Sequence, residues 1–142
     1  MTAPHILVAE DDKALVALVA RWLEAAGYVV RQASDGVAVI QAVQKAVPAA
    51  ILMDVAMPRL DGFQVLVKFR ELDLPRVPVL MMTGRNSAAD VRKAAMLGAK
   101  DYLTKPVERE QLLARLDRML RKFPPAPPSS SDVERQLDYY ID

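Results

Sequence analysis

Short apolar runs alternate along this chain with longer apolar stripes at helical spacing, and this alternation limits the possible folds more than any other feature. Short runs are typical of buried strands, whereas stripes repeating every three or four residues are typical of helices. The predicted strands are residues 6–9, 28–30, 50–53, 77–82 and 102–103. Because such continuous apolar strands are buried on both faces, the pattern predicts an α/β fold, a doubly wound five-stranded parallel sheet with helices on both faces.

A helical stripe follows each predicted strand. The stripes begin near residues 15, 37, 63, 87 and 108, and the last extends to residue 122. Ser87, with Asp90 three residues later, resembles a capping box at a helix start. In doubly wound sheets the functional crevice lies at the carboxyl ends of the strands. Polar residues directly after the strands are therefore the candidate functional residues.

Composition excludes several kinds of site. The 142 residues include 19 basic and 18 acidic side chains, so no overall field attracts nucleic acid or an anionic membrane. The chain has no cysteine, which excludes disulfides and thiolate metal sites. His5 is the only histidine and is interpreted as a strand-edge residue, so a multi-histidine metal site is excluded. No signal peptide or membrane-spanning run is evident, and we expect a cytoplasmic protein.

The composition of the sequence changes after Phe123, where proline and serine become frequent. We predict a domain over residues 1–123, a Pro/Ser-rich linker over 124–131 and a short helical tail over 132–142. The tail carries Ser131 and Glu134 in a capping-box pattern and an aromatic end. So short a helix is marginal alone. We expect it to dock on its own domain or a neighbour, or to begin an output segment.

Polar residues follow four of the five predicted strands. They are Glu10, Asp11, Asp12, Asp54, Thr83 and Lys105. Asp12 is interpreted as a helix cap. Clustered carboxylates repel one another unless a proton or a cation intervenes, and oxygen ligands suit Mg²⁺. Such a site could neutralise an incoming phosphoryl group and let Asp54 act as a nucleophile, with Lys105 and the Thr83 hydroxyl on the phosphoryl oxygens.

Four motifs resemble the response-regulator receiver family, and the resemblance covers residues 5–122. They lie at residues 6–12, 53–62, 77–84 and 98–106 and include Asp-x-x-Met-Pro-x-x-Asp-Gly and Lys-Pro. The resemblance implies the flavodoxin-like receiver fold. It also implies a cis peptide between Lys105 and Pro106.

The same resemblance assigns roles to individual residues. Glu10 and Asp11 would be the acidic metal pair, Asp54 the phosphoacceptor, and the backbone carbonyl of Ala56 a further Mg²⁺ ligand. Thr83 and Lys105 would contact the phosphoryl group. Tyr102 would be the aromatic switch residue that moves inward behind Thr83.

The resemblance further implies a phosphoryl-accepting domain of a two-component system. Its partner would be a sensor histidine kinase or a histidine phosphotransfer protein. Phosphorylation would alter the surface of the fourth helix, fifth strand and fifth helix. We expect no enzyme activity beyond its own phosphorylation and dephosphorylation, no direct binding of nucleic acid, and a possible homodimer.

Some positions depart from subgroups of the family. Arg85 lies where the family can influence attack by water on the acyl phosphate. Asp101 and Arg115 resemble charges at the interface of winged-helix regulators. That subgroup places charges at three positions where this chain has Val91, Leu97 and Gln111. These three residues weigh against the winged-helix form of dimer here.

Two other functions are compatible with parts of the pattern. A non-phosphorylated, receiver-like protein-binding domain would keep the fold but tolerate loss of a pocket residue. A flavodoxin-like cofactor protein would need a phosphate loop rich in glycine and hydroxyl residues after the first strand. Here that loop, Glu10 to Asp12, is acidic and would repel a phosphate.

Overall fold

A computed structural model of the chain describes residues 4–125. The strands are β1 (His5–Ala9), β2 (Val29–Ala33), β3 (Ala50–Met53), β4 (Val79–Thr83) and β5 (Asp101–Thr104). The helices are α1 (Lys13–Ala25), α2 (Gly36–Lys45), α3 (Gly62–Glu71), α4 (Ala88–Met96) and α5 (Arg109–Lys122). The five predicted strand-helix units are confirmed.

All strand pairs are parallel, in the order β2-β1-β3-β4-β5. The chain first adds β2 to one side of β1 and then crosses to β3 on the other side. The winding therefore reverses between β1 and β3. In a sheet of this kind the crevice outside the carboxyl ends of these two strands is the expected binding position.

The two faces of the sheet bury alternate residues of each strand. Leu7 and Ile51 belong to a core cluster that includes residues of α2, α3 and α4. Ile6 and Leu52 belong to a second cluster, which includes residues of α1 and α5. Because successive strand side chains point to opposite faces, this alternation requires helices on both sides. The doubly wound prediction is thus confirmed.

The strand β2 differs from the prediction of a strand buried on both faces. Of its residues, only Ala33 is buried, while Arg31 and Gln32 are exposed. These side chains are exposed because β2 lies at an edge of the sheet and pairs only with β1. The strand also continues three residues beyond the apolar run that predicted it, since its ladder with β1 extends to Ala33.

The helix starts follow local capping chemistry. The Asp12 carboxylate accepts hydrogen bonds from the amides of Ala14 (3.0 Å) and Leu15 (3.2 Å), as expected of a cap. Asp61 and Gln64 form a capping box at α3 that was not predicted, although the Asp-x-x-Gln pattern is typical of one. At α4 the Ser87 hydroxyl accepts from the Asp90 amide, which is one of the two hydrogen bonds of a capping box. The Asp90 carboxylate accepts from the Ser87 hydroxyl and not from the Ser87 amide, so only half of the predicted capping box forms.

Other predictions concern the ends of the chain and His5. His5 opens β1 and is buried at 3% exposure. None of the helices described between residues 4 and 125 has the length and hydropathy needed to cross a membrane. The predicted helical tail and most of the linker lie outside the described residues.

Candidate functional site

Three of the predicted site residues stand one position beyond a strand and extend its hydrogen-bond ladder. The amide of Glu10 donates to the carbonyl of Ala33 at 3.1 Å. The amide of Asp54 donates to Ala9 at 3.0 Å, and that of Lys105 to Thr83 at 2.8 Å. The sheet therefore fixes these backbones side by side at its carboxyl edge.

The carboxylates of Glu10, Asp11 and Asp54 converge at this edge. One oxygen from each lies within 4.8 Å of the others. Glu10 is 2% exposed and Asp54 is 5% exposed, whereas Asp11 is exposed. Three carboxylates this close repel one another, so the arrangement favours a bound cation. The predicted grouping of these residues is present in the structure.

Lys105 lies among the buried carboxylates. Its ammonium donates to Asp54 Oδ2 at 2.7 Å and also to Glu10 Oε1. Burial by itself would lower the pKa of Lys105, but the hydrogen bonds to Asp54 and Glu10 outweigh it and raise that pKa. Lys105 therefore stays charged and neutralises one of the three carboxylates.

Glu10 is the most strongly perturbed acid of the site. Burial raises its pKa to about 7; the hydrogen bond from Lys105 opposes this rise, and the charge of Asp54 adds to it. Its second oxygen accepts from the amide of Asp11 at 2.9 Å. Near neutral pH, Glu10 is therefore partly protonated, and a bound cation can replace that proton.

Thr83 and Tyr102 are joined through the backbone of Arg85. The Thr83 hydroxyl oxygen, buried at the end of β4, accepts from the Arg85 amide at 3.3 Å. The Tyr102 hydroxyl donates to the Arg85 carbonyl. The loop after β4 thus links the predicted phosphoryl-contacting hydroxyl directly to the predicted aromatic switch residue.

The loop after β3 is held close to Asp54 by a glycine. A Cβ on Gly62 would lie 2.6 Å from the Asp54 carbonyl oxygen, so only glycine fits there. The Gly62 amide donates to the Val55 carbonyl at 2.7 Å, and the Ala56 amide donates to Asp54 Oδ1 at 3.2 Å. These contacts orient the Asp54 carboxylate and place Ala56 beside it.

Comparison with known proteins agrees with this geometry. The family model described as "Response regulator receiver domain" matches residues 6–117, which is most of the chain. The chain belongs to the response regulator receiver domain family.

Relatives of this receiver domain include the response regulator MprA of Mycobacterium tuberculosis, which is 37% identical over 138 residues. That match covers 97% of this chain and 60% of MprA, so the chain spans about three fifths of the length of this relative.

Solved receiver structures share the fold. The chemotaxis response regulator CheY4 of Vibrio cholerae has a TM-score of 0.76 and 32% identity, covering 84% of this chain and all (100%) of that one. A receiver domain protein from Methanospirillum hungatei has a TM-score of 0.78 and 26% identity, covering 85% and 96%. The chain is thus the receiver domain of a two-component response regulator.

Several contacts around the receiver site were not predicted from the sequence. Lys105 was expected to contact a phosphoryl group, and its bonds to Glu10 and Asp54 were not foreseen. Gly62 was given no role. The Arg85 guanidinium pairs with Asp90 at 2.8 Å and lies 5.4 Å from the centre of the Phe63 ring. No sequence signal could have shown that pairing, because it depends on how the loop after β4 turns.

Proposed function

We propose that this receiver domain accepts a phosphoryl group on Asp54 from a sensor histidine kinase or a histidine phosphotransfer protein, in a Mg²⁺-dependent reaction in the cytoplasm. One observation carries the proposal: the buried Asp54 carboxylate lies between two further carboxylates and the Lys105 ammonium. Such a site combines a nucleophile, ligands for a divalent cation and a positive charge for the phosphoryl oxygens.

The donor set fits Mg²⁺. Once Glu10 has lost its proton, Glu10, Asp11 and Asp54 bring three negative charges, and Lys105 balances one of them, so a divalent cation would complete neutrality. We assign Mg²⁺ binding to these carboxylates and to the backbone carbonyl of Ala56. When bound, Mg²⁺ supplies charge neutralisation at the phosphoryl oxygens and brings them to the carboxylate cluster.

In the proposed reaction an oxygen of Asp54 attacks phosphorus. The bond from phosphorus to the donor histidine nitrogen breaks, and the nitrogen keeps the electron pair. The Lys105 ammonium, which lies 2.7 Å from Asp54, would form an ion pair with the phosphoryl oxygens. The Thr83 hydroxyl can turn from the Arg85 amide and donate to a phosphoryl oxygen. We propose no catalysis of any other reaction.

The switch follows from the same contacts. A phosphoryl group adds about −1.5 to −2 charges at neutral pH. Drawing the Thr83 hydroxyl toward that charge removes its contact with the Arg85 amide, and the Arg85 carbonyl holds the Tyr102 hydroxyl. We propose that this chain of contacts carries phosphorylation to the surface of α4, β5 and α5. Whatever the response regulator does beyond this domain would be controlled from that surface.

Phosphorylation with acetyl phosphate tests the proposal. Wild-type protein should incorporate phosphate with Mg²⁺ present and not with excess EDTA, and Asp54→Asn should incorporate none. Phosphate can be followed by the mass of the intact protein. The matched control is Asp12→Asn, because Asp12 neighbours the cluster but caps α1, and asparagine caps equally well. Asp12→Asn should behave as wild type.

The same experiment addresses the alternative of a non-phosphorylated, receiver-like binding domain. That alternative predicts a folded wild type that takes no phosphate and no beryllofluoride at any Mg²⁺ concentration. Labelling that persists in Asp54→Asn would equally contradict the assignment of Asp54.

A further inference from the structure

A cleft opens at the opposite end of the sheet from the acidic site. It has a volume of about 380 Å³ and lies between the start of β5 and the last turn of α5. Its lining residues are Ala99, Lys100, Asp101, Arg118, Met119, Lys122 and Phe123. The Lys100 amide bonds to Val79, the first residue of β4, which places the cleft at the amino ends of the strands.

The cleft is basic, and part of its charge is unmatched. Asp101 is already paired with Arg115 at 2.7 Å and with Arg118 at 3.3 Å. Between residues 4 and 125, no carboxylate lies within 4.0 Å of the ammonium groups of Lys100 or Lys122. Both ammonium groups are instead over the Phe123 ring, 4.9 Å and 5.8 Å from its centre. The site therefore presents an aromatic ring flanked by two cations.

The end of the chain has the complementary chemistry. Residues 132–142 contain four of the 18 acidic residues of the chain and only one of its 19 basic residues. Two of these acids, Asp138 and Asp142, flank Tyr139, Tyr140 and Ile141. The sequence of this segment thus places an apolar and aromatic group between two carboxylates. This order is complementary to the cleft, where an aromatic ring lies between two ammonium groups.

We propose that residues 132–142 dock into this basic cleft of their own molecule. The carboxylates of Asp138 and Asp142 would pair with Lys100 and Lys122, and the tyrosines would pack on Phe123 and Met119. Charge-assisted pairs and aromatic contacts of this kind stabilise partly exposed interfaces. The proposal does not depend on phosphorylation of Asp54.

Connectivity favours the same molecule over a second copy. Phe123 lines the cleft and is also where the chain leaves α5, so the linker that leads to residues 132–142 starts at the edge of the cleft. An extended Pro/Ser-rich linker over 124–131 would span roughly 25 Å at about 3.1 Å per residue, so it would keep residues 132–142 within about that distance of Phe123. Tethering at that distance gives an effective concentration in the millimolar range, on the order of that for short flexible linkers.

A spin label at the end of the chain tests the proposal. Because the chain has no cysteine, one cysteine appended after Asp142 can carry a nitroxide at a unique position. In the ¹⁵N spectrum of the labelled full chain, amides of residues 99–101 and 118–123 should lose most of their intensity. Amides near the acidic site at the other end of the sheet, such as Ala14 and Ala56, should keep theirs. Equal intensities at both ends would overturn the proposal.

An isotope mixture identifies the occupant. Spin-labelled ¹⁴N chain mixed with unlabelled ¹⁵N chain should leave the cleft amides unchanged if docking is intramolecular. Broadening in the mixture that equals the broadening within one labelled chain would show that a second copy occupies the cleft, against the proposal.

Charge reversal tests the assigned contacts. Lys100→Glu with Lys122→Glu should reduce the ratio of docked to free tails by about fivefold or more, because exposed ion pairs contribute up to about 1 kcal/mol. Asp138→Lys with Asp142→Lys in that background should restore the broadening. The matched control, Arg31→Glu with Lys45→Glu, reverses two exposed charges far from the cleft and should change nothing. An effect of the control equal to that of the cleft variant would contradict the contacts.

Discussion

The two ends of one parallel sheet hold opposite arrangements of charge. At the carboxyl end, three carboxylates cluster together, and the two buried ones, Glu10 and Asp54, share a single ammonium. At the amino end of β5, Lys100 and Lys122 are exposed and rest against the Phe123 ring. The acidic end therefore stores electrostatic repulsion that a ligand can relieve, and the basic end does not.

Burial explains the difference. A buried charge loses hydration, so it must be balanced by a partner or by a change in its pKa. Glu10 shows this response, with its pKa raised to about 7. The ammonium groups of Lys100 and Lys122 are exposed and keep their hydration. Stability of the receiver domain should consequently depend strongly on cations and pH at the acidic end, and weakly at the basic end.

Removing the half-buried ammonium of Lys105 should have the largest effect. Lys105→Met leaves Glu10 and Asp54 without their shared cation, and loss of one partner from a buried pair costs about 3–5 kcal/mol. We expect a loss of about 3 kcal/mol in the free energy of unfolding at pH 8 without Mg²⁺, measured by urea denaturation. Saturating Mg²⁺ should recover part of it. If Lys105→Met were as stable as wild type in EDTA, Glu10 and Asp54 would not repel each other measurably in the folded protein.

The second largest effect should come from removing the Asp11 carboxylate, which should weaken Mg²⁺ binding. Asp11 is exposed, so Asp11→Asn should leave the fold intact while withdrawing one negative ligand. We expect the dissociation constant for Mg²⁺ to rise by more than about tenfold, because affinity depends on the charge and number of oxygen ligands. Titration calorimetry measures it. Asp12→Asn is again the control, and equal affinities for the two variants would remove Asp11 from the site.

Sequence predicted most of this acidic end, because its residues follow the strands directly. Glu10, Asp54, Thr83 and Lys105 needed only the strand boundaries and the rule that parallel strands end at one edge. The basic cleft could not be predicted in that way. It brings together Lys100 and Lys122, which are exposed and carry no pattern of their own, and their approach depends on where α5 packs against β5.

The fold shows the same contrast between features that leave a pattern in the sequence and features that do not. Apolar runs and stripes identified each strand and helix, since burial on two faces leaves a clear pattern. They gave wrong limits for β2, because an edge strand keeps its hydrogen bonds while its side chains, such as Arg31, become polar. The Arg85–Asp90 pair and the link from Tyr102 to the Arg85 carbonyl depend on loop geometry that no spacing rule supplies.

The pH dependence of the acidic end follows from Glu10. Its pKa is raised from 4.5 to about 7 in the folded protein, so the folded state holds a proton that the unfolded state has lost. In EDTA this group therefore contributes stability at low pH that is lost as pH rises from 4.5 to about 7. Because Mg²⁺ displaces the proton, its affinity should increase by up to about tenfold between pH 6 and 8.

Calorimetry at a series of pH values checks this dependence, and the enthalpy in buffers of different ionisation enthalpy counts the released protons. Glu10→Gln should abolish both the proton release and the increase in affinity. Affinity that is flat across this range in wild type would mean that Glu10 is already ionised in the folded protein.

The basic end should give the smallest effect. Lys122→Met removes an exposed ammonium that lies 5.8 Å from the centre of the Phe123 ring and replaces it with an apolar side chain. Cation–π contacts at exposed sites contribute about 0.5–1 kcal/mol, so the free energy of unfolding should fall by no more than about 1 kcal/mol. Urea denaturation with and without Mg²⁺ should give the same difference, in contrast to Lys105→Met. A loss as large as that of Lys105→Met, or one that Mg²⁺ reverses, would mean that the two ends of the sheet are not electrostatically independent.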